Sequence, residues 1–395
     1  MADHRPRGPE VPAPASGTFS EVIGGAAPIG AAEVLGVPVL PPARAAVLGT
    51  RVRAGLGRLH RALGPPPARV LEGALGALDL AVLAALCRLE VPDRLTRPVT
   101  CAELAALCGV DVQRLDRLTR YAATRGMLKR DRRGRLRPTR LTMFLRRDHP
   151  GGWRAWVEFA AGTEVLGALA ALDAGLTADG DAFAAANGAP FFRWMAEHPE
   201  RHAIFDAAMA AGGRMHGLLL ARALDWSASR RVCDIGGGDG ALLGVLLAQH
   251  PHLEGVVLEL PEVVARMPER PRVQAVAGDA FASVPAACDT YLLVNVLHDW
   301  DDEAAATLLD RAAEAARESG ASARIVVVES AAHARPRDDL ATLADGLMLA
   351  LTPGGRERAT AEIAALARQV GLSHDGTHPL VSGDVAHVLR PGTPA

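Results

Sequence analysis

Residues 231–251, RVCDIGGGDGALLGVLLAQHP, restrict the possible folds more than any other stretch. An apolar strand runs into Gly236, Gly237, Gly238, Asp239 and Gly240, and an apolar helix follows at once. Glycines in such a turn let the backbone come close to a ligand, because no Cβ stands in the way. Beyond this turn the chain keeps alternating. Strand candidates fall at 231–235, 255–259, 273–277, 290–294 and 325–329, with helical stretches between them, notably 302–318. That alternation predicts an α/β fold with a doubly wound parallel sheet. The closing stretch HPLVSGDVAHVLRPG suits a hairpin on the sheet edge.

In open parallel sheets ligands gather at the carboxyl ends of the strands. The glycine loop lacks GxGxxG spacing, since position 241 is Ala and position 243 is Leu. Nicotinamide and adenosylmethionine enzymes both place glycine loops here. Glu259 ends the second strand, where a carboxylate can take both ribose hydroxyls of either cofactor. VAGDAF ends the third strand, with Asp279 placed to accept from an adenine amino group and Phe281 beside the ring.

The fourth strand carries the chemistry. In YLLVNVLHDWDDE the apolar run 291–297 reads as a buried strand that delivers His298 at its end. The fifth strand ends at Glu329, and the two strands are neighbours in this topology, so both side chains reach one rim. An imidazole oriented by a carboxylate can take a proton from a phenol or enol. Asp301, Asp302 and Glu303 then open a helix, where negative charge favours the positive end of its dipole. Asp299 is placed to orient His298 or contact a ligand.

The first half reads differently. Residues 1–55 are rich in Pro, Ala and Gly and show no helical or strand period, which predicts a flexible extension. The Val and Leu around 33–40 are its candidates for packing on a neighbour. LEGALGALDLAVLAALCRLEV is apolar nearly all round and belongs in a core or a subunit interface. Thr100 and Glu103 form a capping box, Gly109 ends that helix, Asp111 starts a second helix that Gly126 ends, and a hairpin turns at Arg133-Gly134. Helix, turn, helix, hairpin is a winged helix, over 56–175. Arg and Lys crowd 114–147 against Asp116 and Asp131 alone, so a ligand-sensing DNA-binding regulator is a rival from another class.

Bulk properties narrow the choice. A formal net charge of -2 argues against a chain that coats nucleic acid over its whole surface. The five cysteines have no CxxC spacing, which argues against a disulfide framework or a zinc site. No apolar run reaches about 18 residues, so no membrane span is expected. The N-terminus lacks the charged-then-apolar order of a signal peptide, and a cytoplasmic location is expected. His374 and His378 are four apart with Gly376 between them, which reads as a loop rather than a metal-binding helix face. No carboxylate cluster stands at metal-ligand spacing, and no metal is expected.

Taken in order, DIGGGDGALL, VVLELPEVV, AGDAF, LLVNVLHDWDDE, VVVES and LTPGGRERATAEIAALARQVGL resemble the S-adenosylmethionine-dependent O-methyltransferases. The nearest likeness is to the bacterial antibiotic-tailoring kind, similar to plant caffeic acid O-methyltransferases, and it spans about 60–390. The resemblance implies a Rossmann-like class I methyltransferase sheet over 176–395, helical linker included, behind a mostly helical winged-helix dimerisation domain. It implies an intertwined homodimer and S-adenosyl-L-methionine as cofactor, with no nucleic acid or membrane partner. Expected cofactor positions are Asp234, Gly236, Gly238, Glu259, Leu260, Asp279, Ala280, Phe281 and Val294. The last departs from the family, where many members carry Lys; a backbone contact survives that change. His298 falls on the family's catalytic base, and Glu329 and Glu357 on the acidic residues that flank it. Phe159, Trp194, Phe205, Met209, Asp299 and Met348 are the candidates for an apolar acceptor pocket. Methyl transfer to a hydroxyl of a small aromatic or polyketide-like acceptor is the expected activity. Some relatives bind the same cofactor yet hydroxylate, decarboxylate or steer pericyclic reactions, which is the second reading.

Overall fold

The computed structural model describes residues 30–392 apart from 38, 178, 321 and 336. Two short strands, β1 (Leu128–Arg130) and β2 (Leu136–Pro138), form the wing hairpin. Seven more build the main sheet: β3 (Arg231–Ile235), β4 (Glu254–Glu259), β5 (Val273–Ala277), β6 (Thr290–Val294), β7 (Arg324–Ser330), β8 (Leu372–Pro379) and β9 (Asp384–Pro391). Their order is β5-β4-β3-β6-β7-β9-β8. The first five are parallel, and β9 and β8 close the edge as an antiparallel hairpin.

The central strands are mostly apolar on both faces because both are covered. Cys233, Ile235, Tyr291, Leu293, Ile325 and Val327 face the Asp302–Ser319 and Thr360–Gln369 helices. Their alternates Val232, Leu292, Val326 and Val328 face Leu242, Leu243 and Leu246 of the Ala241–Gln249 helix and Leu219 and Leu220 of the Pro199–Ala223 helix. The period of two in a strand thus sorts one apolar run into two cores.

The winged helix is present as expected. Thr100 and Glu103 make the capping box on Cys101–Cys108, Asp111 caps Val112–Thr124, and the hairpin follows. Its core includes Leu86, Leu95, Leu104, Leu115, Leu128 and Leu136. Much of its positive charge is spent at home. Asp116 holds Arg120 and Arg130, Asp131 holds Arg135 and Arg137, and Asp79 and Glu90, outside the basic stretch, hold Arg125 and Arg147.

Three expectations need correction here. The flexible extension over 1–55 does not hold for its described part: Ala31–Leu35 and Ala43–Leu63 are helices, and the boundary at 55 falls inside the second. Ala31, Val34 and Leu35 bury against Leu218 and Val245, so tertiary packing supplies what the sequence period lacked. Residues 1–29 lie outside the described part. The apolar stretch 71–91 is buried in its second half and leaves Leu71, Leu75 and Leu78 exposed on a single chain, as a core or a subunit interface element would be. Pro66–Arg88 is also, by length and composition, long and apolar enough to cross a membrane, against the expectation of no such run. A break at 75–76 and the charges of Arg69, Glu72 and Asp79 hid it from a count of consecutive apolar residues. Finally, His374 and His378 lie on β8 rather than in a loop, and Gly376 marks a register shift there.

Candidate active site

The glycine loop sits at the carboxyl end of β3. Gly236, Gly238 and Gly240 have φ of 70°, 57° and 73°, which side chains disfavour. Added at Gly238, a Cβ would meet nothing within 4 Å, so the loop presents an open cradle. Glu259, at the end of β4, turns back to it: one carboxylate oxygen accepts from the Gly238 N–H at 3.2 Å and the other from the Leu260 N–H at 2.7 Å. Burial raises its pKa, with those two N–H groups working against the rise. Asp234 is buried beneath the loop, its Oδ2 without a partner. Burial, then the charges of Glu259 and Asp239, push it to about 8, so it is largely a neutral acid at pH 7. Asp239 is held by Arg270, which donates to its carbonyl and its carboxylate at 2.8 Å each.

Past β5, Asp279 accepts from the Phe281 N–H at 2.9 Å, and this turn places Ala280 and Phe281 at the rim. Phe281 packs edge-on against Trp300 at 4.8 Å between centroids, and Trp300 stacks with Phe192 at 5.8 Å. Val294 directs its side chain into the sheet core, which leaves its backbone for any cofactor contact.

His298 is not at the strand end. The strand stops at Val294; Asn295 takes φ 52° and breaks the pairing, and His298 rides on the 3-10 turn Leu297–Asp299. Freed from the ladder, the Val296 and Leu297 N–H groups donate to Glu329 Oε1 at 3.2 and 2.8 Å. The other Glu329 oxygen lies 3.6 Å from His298 Nδ1. Glu357 comes nearer, with Oε1 at 3.0 Å from Nδ1, so it rather than Glu329 is the first orienting group. Asp299 Oδ1 lies 3.7 Å from Nε2. Burial alone would depress the imidazole, but Glu329, Asp299 and Glu357 outweigh it and raise it to about 10. Burial lifts Glu329 to about 7 against the pull of His298, and Asp299 to about 6 in the same way. A carboxylate cluster therefore exists, contrary to the sequence expectation. It is assembled from segments about 30 residues apart along the chain, which spacing rules do not see.

The PGG motif acquires a reason. Gly354 and Gly355 pass so close to the histidine turn that a Cβ at 354 would sit 2.9 Å from Asp301 Cβ, and one at 355 would collide with the His298 carbonyl and Thr352 Oγ1. Arg358, buried, then clamps the turn by donating to the Leu297 and Trp300 carbonyls at 2.6 and 2.7 Å and to Asp302 at 2.9 Å. Asp345 accepts from the Glu357 N–H at 2.9 Å. Arg358 and Asp345 were not singled out in the sequence; the Glu-Arg pair after PGG was the available signal. Gly355→Ala should push this loop away, lowering turnover about tenfold or more while S-adenosylhomocysteine still binds. Equal turnover by the variant and the wild type would show that the approach is not needed.

The pocket candidates divide. Phe159 is only 1% exposed and packs among Trp156, Phe191 and Phe205, so it is core rather than wall. Trp194, Phe205 and Met209 are half-buried around that core, Met348 is buried, and Asp299 stands at the imidazole.

Open glycine backbone, an acidic residue behind it and a framed imidazole share one sheet rim, the layout of a group-transfer enzyme that binds a nucleoside cofactor. The comparisons fix which. Residues 169–373 match the O-methyltransferase domain and 71–146 the O-methyltransferase dimerisation domain. The chain is 34% identical over 290 residues, 71% of its length and 85% of the relative's, to the 2,7-dihydroxy-5-methyl-1-naphthoate 7-O-methyltransferase of Streptomyces carzinostaticus. It is also 34% identical, over 69% of itself and 75% of the relative, to the aclacinomycin 10-hydroxylase of Streptomyces purpurascens. Among solved structures it resembles an O-methyltransferase from neocarzinostatin biosynthesis in complex with S-adenosylmethionine and 2-hydroxy-5-methyl naphthoic acid. That likeness has a TM-score of 0.64, 31% identity, and covers 80% of this chain and 96% of that one. The chain belongs to the S-adenosylmethionine-dependent O-methyltransferase family. Its open cradle and the carboxylate of Glu259 fit that cofactor.

Proposed function

We propose that this enzyme methylates a hydroxyl of a small aromatic or polyketide-like acceptor in cytoplasmic secondary metabolism, of the antibiotic-tailoring kind, with His298 as general base. The observation that carries this reading is the 3.0 Å contact of Nδ1 with Glu357, which commits that nitrogen and leaves Nε2, once it has given up its own proton, to receive the acceptor's. The cofactor supplies a methyl group already activated by its sulfonium. The chain's own residues have the remaining tasks: Glu357 and Glu329 stabilise the imidazolium formed, and alignment does the rest. Glu259 holds the ribose; Gly236, Gly238, Leu260, Asp279, Ala280, Phe281 and the Val294 backbone complete the cofactor contacts, and Asp234 supports the loop from below. Trp194, Phe205, Met209 and Met348 wall the acceptor pocket. The name of the naphthoate methyltransferase supports an aromatic acceptor.

A homodimer is part of this proposal. Leu48, Val52, Leu56, Leu59 and Leu63 form one exposed apolar stripe on Ala43–Leu63, beside exposed Val70 and Leu71 of Pro66–Ala74, and a second copy is the fitting cover.

The test is mass spectrometry of hydroxylated naphthoates after incubation with enzyme and S-adenosylmethionine. Gain of a methyl group supports the proposal. Gain of an oxygen instead favours the second reading, which the likeness to a hydroxylase motivates. His298, Glu329 and Glu357 offer ligand atoms within 4.8 Å of one another, near enough to share an ion. We assign them to a shared proton. Turnover should therefore be unchanged after dialysis against EDTA, and a loss restored by a divalent cation would reassign the three as ligands.

A further inference from the structure

Arg214 is half-buried with its Nε fully covered, and among the described residues it is an arginine near the glycine loop that the site described above leaves without a task. Other buried guanidiniums are saturated. Arg154 pairs with Asp93 and Glu158 and donates to the Cys87 carbonyl. Arg358 bonds Asp302 and two carbonyls, and Arg324 donates to the Asp225 carbonyl, Ser229 and Thr290. Arg214 makes a single long bond, 3.3 Å from Nη2 to the Gly151 carbonyl, and its buried Nε has no partner. Among the described residues it forms no ion pair. Burying a cation in this way is costly, and such a group is retained when something anionic completes it.

Its position says what that anion is. Arg214 lies on the Pro199–Ala223 helix, at the point where that helix touches the helix after the glycine loop. A Cβ on Gly213 would lie 3.5 Å from the Leu242 N–H nitrogen, and one on Gly217 would collide with the Leu242 carbonyl. The guanidinium itself packs against Gly152, where an added Cβ would collide with Nη2. Burial lowers its pKa, and the charges of Asp239 and Arg270, both of the loop, act on it in opposite senses. Arg270 is already committed to Asp239. One end of the cofactor is a nucleoside, served by Glu259 and Asp279. The other end is an amino acid whose carboxylate needs a cation, and Arg214 is the uncommitted one beside the loop.

We propose that Arg214 receives the α-carboxylate of the cofactor's amino-acid end, an inference that rests on the methyltransferase reading. A guanidinium suits a carboxylate through two parallel N–H donors. Arg214 is then a cofactor-anchoring residue, distinct from the groups that grip the ribose and adenine.

Calorimetry with two ligands tests this in wild type, Arg214→Met and Arg214→Lys. S-adenosylhomocysteine carries the carboxylate; 5′-methylthioadenosine keeps the nucleoside and lacks the amino acid. Arg214→Met should weaken the first about tenfold or more and leave the second within about twofold, with Arg214→Lys in between. The ligand-free melting temperature of Arg214→Met should be no lower, because an unpaired buried cation has been removed. Equal losses for both ligands would reduce Arg214 to a packing role, and no loss for either would put the carboxylate elsewhere; each overturns the inference. Failure of the wild type to bind S-adenosylhomocysteine at all would overturn the methyltransferase reading, and this inference with it.

Discussion

Replacing His298 by alanine is expected to lower kcat at neutral pH about 100-fold or more while leaving cofactor affinity nearly intact. The base acts on the acceptor alone, so methyl donor binding has no reason to change. His298→Gln should exceed alanine by no more than a small factor, since an amide can bond the hydroxyl but cannot take its proton. A bound cationic methyl donor would favour release of the imidazole's proton below its ligand-free value of about 10. Wild-type kcat should therefore level off as pH rises, whereas the variant keeps climbing with ionisation of the phenol itself. The gap between them should narrow toward high pH. Stability has its own sign. The folded imidazole keeps its proton up to about 10, so its contribution to stability fades as pH rises from its ordinary value near 6.5 toward 10, and His298→Ala should lose more melting temperature near pH 7 than near pH 10. Turnover near the wild-type rate at neutral pH would sink the assignment, leaving proximity or another base.

The second large effect concerns Glu259. Glu259→Ala should weaken S-adenosylhomocysteine by about 1.5–3 kcal/mol, the range for a charged acceptor of two hydroxyl bonds. Part of the loss will come through the loop, because Gly238 and Leu260 donate their N–H groups to the same carboxylate. Glu259→Gln should recover a fraction, since its amide oxygen can accept one of those bonds. Calorimetric affinity equal to wild type would mean that the ribose is gripped by other groups.

Legibility in the sequence followed the range of each interaction. The glycine turn and the Thr100 capping box were readable because each is set by residues within a few positions, and the parallel sheet because strands and helices alternate along the chain. Glu259 and Glu329 were readable because strand ends share a rim. The true ends of β6 and the path to His298 were not. Asn295 leaves the strand through a left-handed conformation that an apolar count from 291 to 297 passes over. Glu357 was placed near His298 only through likeness to a family, as 59 positions separate them. Arg214 sat in a run of small helical residues, and only the folded chain shows its Nε buried without a partner. The helices at 31–35 and 43–63 escaped because their stability comes from burial on other elements and from an apolar face awaiting cover, not from local pattern.

The PGG crossing has a bearing on how such enzymes diversify. Gly354 and Gly355 weld the histidine turn to the segment carrying Glu357, and Arg358 bolts that joint to the start of the Asp302–Ser319 helix. Trp194, Phe205 and Met209, by contrast, hang from helices that lie outside the joint. A lineage can therefore recut the acceptor cavity by ordinary drift in those helices without retuning the proton-handling apparatus. Change inside the joint should have the opposite character: one substitution there should lower methylation while the cofactor still binds. A hydroxylase and a methyltransferase equally similar to this chain are what such a construction would leave behind.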